Sequence, residues 1–402
     1  MTHACRNCGA TLSLELANLG VQPLSNAYVD PRHVQEPEPR YPLVAYVCEQ
    51  CLLMQVPPVT SRETLFADYA YFSSYSESWL EHARAYAAMM RERLQLGATS
   101  QVIEIASNDG YLLQYFQRDG IPVLGIEPAA NVAEVAREKG IETCTRFFGV
   151  DVARTMAGRA DLLIANNVLA HVPDLHDFIE GLRIALAPNG TLTIEVPHLL
   201  RLIEGRQFDT IYHEHYSAFS LRVMRDVLAQ HGLAITEVVE LATHGGSLRV
   251  FAQHEGAAID ASVGAVLDIE RSLTDLETYR RFSADVELCK RELVEFLTRA
   301  RAEGKSVAGY GAPAKGNTLL NSCGVGVDLI AFTVDRNPHK QGLLLPGSHI
   351  PIYAPSKLDE MKPDYVVILP WNLRDEIVAH MAHIRDWGGR FVVPIPRIEV
   401  LA

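Results

Sequence analysis

Two C-x-x-C pairs, Cys5-Arg-Asn-Cys8 and Cys48-Glu-Gln-Cys51, constrain this 402-residue chain more than any other feature. Each turn lets two sulfurs converge, and two such turns supply four thiolates at about 2.3 Å from one tetrahedral metal. Four thiolates leave no open coordination position, so the spacing predicts a structural zinc. The metal would staple a segment of about 50 residues that is too short for a core of its own and rich in proline (Pro23, Pro31, Pro37, Pro39, Pro42). A redox C-x-x-C or four unrelated thiols is the competing reading. Cys144, Cys289 and Cys323 stand alone and read as core residues.

Pro57-Pro58 closes the zinc segment, and from Ser61 to Leu96 the pattern turns helical and aromatic, with Gly97 as its expected stop. Short apolar runs then alternate with amphipathic stretches: 101–106, 110–118, 123–127, 132–139, 161–165, 175–186 and 191–196. Strands alternating with helices predict a mostly parallel sheet covered on both faces, with ligands at the carboxyl ends of its strands. Late strands follow at 236–240 and 247–253, and a long charge-laced helical pattern runs from about Ser262 to Ala302, ending at Gly304. The alternation restarts at 306–310 and continues to Val393, which predicts a second, smaller α/β unit. The expected division is a zinc-binding knuckle domain over 1–58, a cofactor domain with an N-terminal helical arm over 59–256, and a C-terminal α/β domain over 257–402.

The first unit of the cofactor domain, Val102-Ile-Glu104-Ile-Ala106-Ser-Asn108-Asp109-Gly110, is a strand followed by a tight polar turn and a helix start, with Asp109 as the expected helix cap. A pyrophosphate binder would carry G-x-G-x-x-G here; an acidic, glycine-poor turn suits a cationic ligand without phosphates. Seventeen residues past Gly110 a second strand ends in Glu127, placed to accept both hydroxyls of a ribose. A third polar strand end follows at Asn166-Asn167-Val-Leu-Ala-His171. Taken together these resemble the S-adenosylmethionine-binding fold of the class I, Rossmann-like methyltransferases. A dinucleotide-binding unit or a ligand-free doubly wound sheet is the alternative.

After the strand ending at His198 comes Tyr212-His213-Glu214-His215. His213 and His215 are only two apart and cannot share a helical face as H-E-x-x-H ligands do. A phenol, a carboxylate and imidazoles side by side suit proton transfer near neutral pH. With these segments in view, the whole chain resembles the three-domain nucleotide-sugar C-methyltransferases, which act on 4-keto-deoxysugars. The resemblance is carried by both cysteine pairs, Leu19 to Ala27, Tyr71-Phe-Ser73-Ser74, Glu104 to Gly110, Asn167-x-x-x-His171, Tyr212 to His215 and Gly309 to Asn321. Its departures are Ala106, where many methyltransferases have glycine, and Pro313 inside the Gly-rich turn.

The resemblance implies base-catalysed enolate formation next to the ketone, at the carbon C3, and methyl transfer to that carbon; O- or N-methylation of another small metabolite is the alternative. It marks His215, Tyr212, His171 and Glu214 as the site without assigning their roles; on their chemistry His215 is the expected base, Tyr212 and His171 are partners of the enolate oxygen or proton relays, and Glu214 is a ligand of the sugar or an orienting group for His215. The cofactor-binding set is Tyr71, Ser73, Ser74, Glu104, Ala106, Asn108, Asp109, Gly110, Glu127, Asn166 and Asn167, with Tyr71, Ser73 and Ser74 as a cover. On the substrate side, the turn after Gly309 with Lys315 and Asn317, and Arg336 and Lys340 beside the next strand end, are expected to hold a diphosphate.

Charge fits a locally held anion. Lys plus Arg at 36 against Asp plus Glu at 49 gives −13, which argues against a surface-wide grip on nucleic acid or an anionic membrane. No run approaches the roughly 18 apolar residues of a membrane span, and the N-terminus lacks the apolar core of a signal peptide. A cytoplasmic monomer or small homo-oligomer is the expectation.

Overall fold

Residues 3–66 and 72–401 are described in the computed structural model; Tyr71 lies outside them. Leu14–Gln22 (β1) and Tyr41–Val47 (β2) pair antiparallel, and the buried positions of β2, Leu43, Ala45 and Val47, alternate with exposed ones as a half-buried strand requires. Met54–Gln55 (β3) adds to β2 after the second cysteine turn. Both turns close alike: the amide of Gly9 donates to Cys5 O and that of Leu52 to Cys48 O. Gly9 and Leu52 both take left-handed φ, 76° and 63°, and in leucine that conformation carries strain.

The central sheet contains Val102–Ile105 (β4), Val123–Ile126 (β5), Thr143–Cys144 (β6), Ala160–Ile164 (β7) and Leu186–Pro197 (β8). Ser217–Ala218 (β9) lies elsewhere, and Leu233–Leu241 (β10) and Ser247–His254 (β11) complete the layer. The order is β10-β11-β8-β7-β4-β5-β6, with β4 to β8 parallel and β11 inserted antiparallel between β8 and β10. All four residues of β4 are buried, as expected for a parallel strand covered on both faces. After β6 the chain crosses to the other side of β4 to make β7, so a crevice opens at the carboxyl ends of β4 and β7.

β9 pairs with β3, Met54 opposite Ala218 and Gln55 opposite Ser217. The N-terminal sheet is therefore completed by the residues that immediately follow the Tyr-His-Glu-His segment.

Two helical readings are revised. The arm helix Glu77–Leu94, capped by Ser76 Oγ, stops at a left-handed Gln95, two residues before Gly97. The 262–302 pattern is broken into Ala261–Ile269, a 3-10 turn Glu270–Thr274 and Leu276–Ala302. The cause is Glu270, drawn into the core to accept from the amides of Leu221 (2.5 Å) and Arg222 (3.0 Å) and to pair with His198 Nε2 at 2.7 Å. Asp275 then caps the restarted helix. Val263 and Val266 of the first piece pack into the core beside the central sheet, so a boundary at residue 256 divides elements that share one interior.

The third sheet is built from Val307–Tyr310 (β12), Thr333–Val334 (β13), Ile352–Tyr353 (β14), Tyr365–Ile368 (β15), Arg390–Val393 (β16) and Glu399–Leu401 (β17). Its order is β14-β13-β12-β15-β16-β17, parallel except for β17. A second strand-order reversal falls between β12 and β15. The helix Leu276–Ala302 joins this sheet to the first: Tyr279, Phe282 and Leu293 share a core with Leu16 and Leu43 and with Val307 and Val367. No helix of the described residues is long and apolar enough to cross a membrane.

Candidate active site

The sulfurs of Cys5, Cys8, Cys48 and Cys51 lie within 4.8 Å of one another, with Cys5–Cys51 and Cys8–Cys48 each at 3.5 Å. A tetrahedron with metal–sulfur bonds of 2.3 Å has edges of about 3.8 Å, so the donor set fits zinc. Gln55 Nε2 donates to Cys5 Sγ at 3.1 Å, the kind of outer hydrogen bond that suits a thiolate.

The loop after β4 carries the second group of expected residues. Ala106, Asn108 and Gly110 all have left-handed φ, 57°, 50° and 74°. Alanine holds that conformation at a cost of about 1 kcal/mol that glycine would avoid, and a side chain at Gly110 would collide with Ile141. Glu127 fixes the loop from the end of β5: one carboxylate oxygen accepts from Asn108 N (3.0 Å), the other from Ala129 N (2.9 Å). Asp109 does not cap a helix, since the next one is Leu113–Arg118 with Leu112 at its cap and no side-chain bond there. Lys139, which the sequence reading missed, lies 3.5 Å from the Asp109 carboxylate and donates to its carbonyl at 2.7 Å.

Three carboxyl groups crowd this crevice. Burial pushes Glu104 well above the usual carboxylate range, and the charges of Glu127 and Asp109 push it further. Glu104 Oε2, Asp109 Oδ1, Asn166 Oδ1 and Asn167 Nδ2 are buried with no hydrogen-bond partner among the described residues. An acidic crevice with unsatisfied polar atoms fits a cationic ligand such as S-adenosylmethionine and is hostile to a pyrophosphate. The arm covers it: Ser73 N donates to Asn108 Oδ1 (2.9 Å), and Lys139 Nζ reaches Ser74 Oγ (3.1 Å). Glu195 at the end of β8, also unassigned by the sequence reading, accepts from its cross-strand partner Arg249 at 2.6 Å and pairs with His82 of the arm helix at 3.0 Å. An arginine within the apolar run of β11 is the one sequence signal that could have revealed this clamp.

Tyr212, His215 and His171 come together. The rings of Tyr212 and His215 are 3.9 Å apart, and those of His171 and His215 4.8 Å. His215 Nδ1 lies 2.7 Å from the Thr210 carbonyl. A carbonyl only accepts, so the proton sits on Nδ1 and Nε2 keeps its lone pair. Burial, and then the charges of His171 and Lys315, hold His215 well below the ordinary histidine range, so the ring is neutral at pH 7. Burial likewise brings His171 down to about 4.

Glu214 is buried and accepts from Asn26 Nδ2 of the N-terminal segment at 2.8 Å; the group that orients His215 is the Thr210 carbonyl. Burial raises the Glu214 carboxyl to about 7. Its folded pKa exceeds its unfolded value near 4.5, so the folded chain holds a proton that the unfolded chain releases, and stability falls as pH rises through that window. Glu214→Gln is expected to gain up to about 3 kcal/mol over wild type at pH 8 and little at pH 4.5. Urea unfolding of both proteins at the two pH values measures this; an equal difference at both would contradict it.

The four expected substrate residues are each bonded to other groups of the protein. Arg336 pairs with Glu376 on the surface (2.9 Å). Asn317 Nδ2 donates to Ser25 O (2.7 Å), and Lys340 Nζ donates to Ala312 O (2.8 Å). Lys315 turns toward the 3-10 turn Phe208–Thr210 that carries the orienting carbonyl.

The sheet order, the acidic crevice and the four-thiolate knot define an S-adenosylmethionine-dependent methyltransferase with a structural zinc. Three family models match in succession: "Putative zinc binding domain" over residues 5–66, "Methyltransferase domain" over 79–238 and "C-methyltransferase C-terminal domain" over 242–396. C-methyltransferase NovU of Streptomyces niveus is 37% identical over 405 residues, spanning 99% of this chain and 96% of NovU. The chain belongs to this three-domain C-methyltransferase family. Solved structures similar to it include the 1,6-didemethyltoxoflavin-N1-methyltransferase of Burkholderia thailandensis, at 17% identity over 50% of this chain and 95% of that one, TM-score 0.37. Magnesium protoporphyrin IX methyltransferase of Synechocystis PCC 6803 matches at 17% identity over 44% of this chain and 83% of that one, TM-score 0.36.

Proposed function

We propose that this C-methyltransferase acts on a nucleotide-linked 4-keto-6-deoxysugar, methylating C3, the carbon next to the ketone, to give a branched deoxysugar. The observation that carries the reading is His215: its Nδ1–H is held by the Thr210 carbonyl, which leaves Nε2 unprotonated, and its ring packs against those of Tyr212 and His171. Methylation of oxygen or nitrogen has no need of an enolising base; a carbon acid does. The sugar rests on the motifs shared with the nucleotide-sugar enzymes.

In this reading His215 Nε2 takes the proton from C3, and the C–H electron pair moves into the C3–C4 bond while charge passes to the ketone oxygen. Tyr212 and His171 hydrogen-bond that oxygen or relay the proton onward. Glu214, with its back fixed by Asn26, binds a sugar hydroxyl. S-adenosylmethionine, when bound, supplies a methyl electrophilic enough for the carbon to take it without further activation. Glu127 would accept from the ribose, while Glu104, Asn108, Asp109, Asn166 and Asn167, on the turns set by Ala106 and Gly110, would hold its cationic end under Tyr71, Ser73 and Ser74. Asn317, Arg336 and Lys340 remain the candidates for the diphosphate side.

Incubation with S-adenosylmethionine and a panel of 4-keto-6-deoxysugar nucleotides in heavy water tests this. The expected result is loss of the C3 hydrogen to solvent and a new methyl on carbon. A methyl found on oxygen or nitrogen would overturn the reading.

A further inference from the structure

In a doubly wound sheet the crevice at the strand-order reversal is where ligands sit. In the C-terminal domain that crevice lies at the ends of β12 and β15, and it is occupied by Lys315, on the helix Ala314–Ser322, and by Trp371 and Asn372. Lys315 Nζ donates to Asn372 Oδ1 at 2.8 Å and stands 4.6 Å from the centre of the Trp371 ring. Trp371 Nε1–H in turn donates to Asp209 Oδ2 of the central domain at 2.7 Å. Asp209 is fully buried and directly precedes Thr210, whose carbonyl orients His215.

The back of Trp371 rests on Gly245. Any side chain at Gly245 would come within 2.5 Å of the indole, and a left-handed φ of 87° already favours glycine there. Gln207 Nε2 donates to Gly245 O (2.8 Å), which ties this loop to the same 3-10 turn. The C-terminal crevice is thus docked on the turn that sets the base. The Lys315 charge is felt by Asp209, His215 and His244 alike.

The neighbouring Gly-rich turn, by contrast, is poorly suited to phosphate. The amide of Gly311 donates to Val334 O (2.6 Å), that of Ala312 donates to the Asp335 carboxylate (2.7 Å), and Pro313 has no N–H. An incoming diphosphate would have to displace an acidic side chain.

We propose that Lys315, held by Asn372 and by the Trp371–Asp209 hydrogen bond, is the cation that meets the enolate oxygen formed when His215 removes the C3 proton, and is not a phosphate ligand. This rests on the reading given under Proposed function. No bond to Lys315 forms: the proton goes to His215 Nε2, the oxygen gains the negative charge, and the ammonium group stabilises it by a charged hydrogen bond. Trp371 and Asn372 are positioning residues.

The test compares wild type, Lys315→Met and Trp371→Phe for turnover, KM of the sugar nucleotide, S-adenosylmethionine affinity by calorimetry, and exchange of the C3 hydrogen with heavy water. Lys315→Met is expected to lower turnover and exchange together by about 100-fold, the effect of removing one oxyanion donor, with KM changed less than about threefold. Trp371→Phe keeps the ring and loses the N–H; its expected effect is about tenfold on the same two rates, which keeps the proposal testable should Lys315→Met fold poorly. A raised KM with turnover and exchange intact would overturn the proposal and return Lys315 to the phosphates. Absence of exchange in wild type would instead overturn the enolate reading itself.

Discussion

His215→Asn is expected to lower kcat by about 10²- to 10⁴-fold, the usual worth of a positioned general base, while leaving S-adenosylmethionine affinity and thermal stability near wild type. Asparagine can still donate to the Thr210 carbonyl from its amide, so the 2.7 Å bond that fixes the side chain has a substitute. What the variant lacks is a basic nitrogen. Exchange of the C3 hydrogen with solvent should vanish with turnover, since both need the same proton removed. The pH profile sharpens the expectation. Burial and neighbouring positive charge hold His215 well below 6.5, so the base stays deprotonated down through that pH; with the Glu214 titration at about 7 removed by Glu214→Gln, kcat/KM should be flat across pH 6.5 and fall only in more acidic solution. An acid limb centred near or above 6.5 in Glu214→Gln, or a His215→Asn variant within tenfold of wild type, would remove His215 from the role.

The second large effect concerns zinc. Stripping the metal, or replacing Cys51 by serine, is expected to cost on the order of 5 kcal/mol and lower Tm by about 10 °C or more. The N-terminal sheet has help from the helix Leu276–Ala302, whose Tyr279 and Phe282 pack with Leu16 and Leu43, so it should loosen at the cysteine turns first. Arg6 makes that loss catalytic. Sitting between Cys5 and Cys8, it donates to Val56 O at 2.8 Å, to Tyr216 O and to Ser217 Oγ at 2.7 Å. Metal removal should therefore reduce turnover below the temperature at which the chain unfolds. Metal analysis, calorimetry and activity on one chelated sample check this; unchanged Tm with zinc demonstrably gone would contradict it.

The cysteine pairs, the strand ends at Glu104, Glu127 and Asn166, and the Tyr-His-Glu-His segment were legible in the sequence because each is a local pattern. Spacing alone brings Cys5 near Cys8, and a strand followed by a polar turn places Asn108 and Asp109 at a crevice. Other features depend on pieces distant in the chain. The Thr210 carbonyl carries no side-chain signature, and the Glu195–Arg249–His82 clamp joins three separate elements. Lys315 is legible as a cation at a helix start, but its direction depends on how the third sheet meets the second. Glu270 broke a helix that its local pattern favours because three partners in the core outweigh one turn of helix.

The pairing of β3 with β9 also bears on how the chain is made. Some 160 residues separate Gln55 from Ser217, and at ribosomal speeds of 5–20 residues per second that interval takes roughly 8–30 s. The sheet that is begun first is thus completed only after β4 to β8 of the central sheet have been made, and its open edge must wait unpaired for a strand not yet translated. Zinc can bind as soon as Cys51 emerges, so the metal acts as a clasp on a nascent chain, holding the edge ready until the Tyr-His-Glu-His segment and β9 arrive to close it.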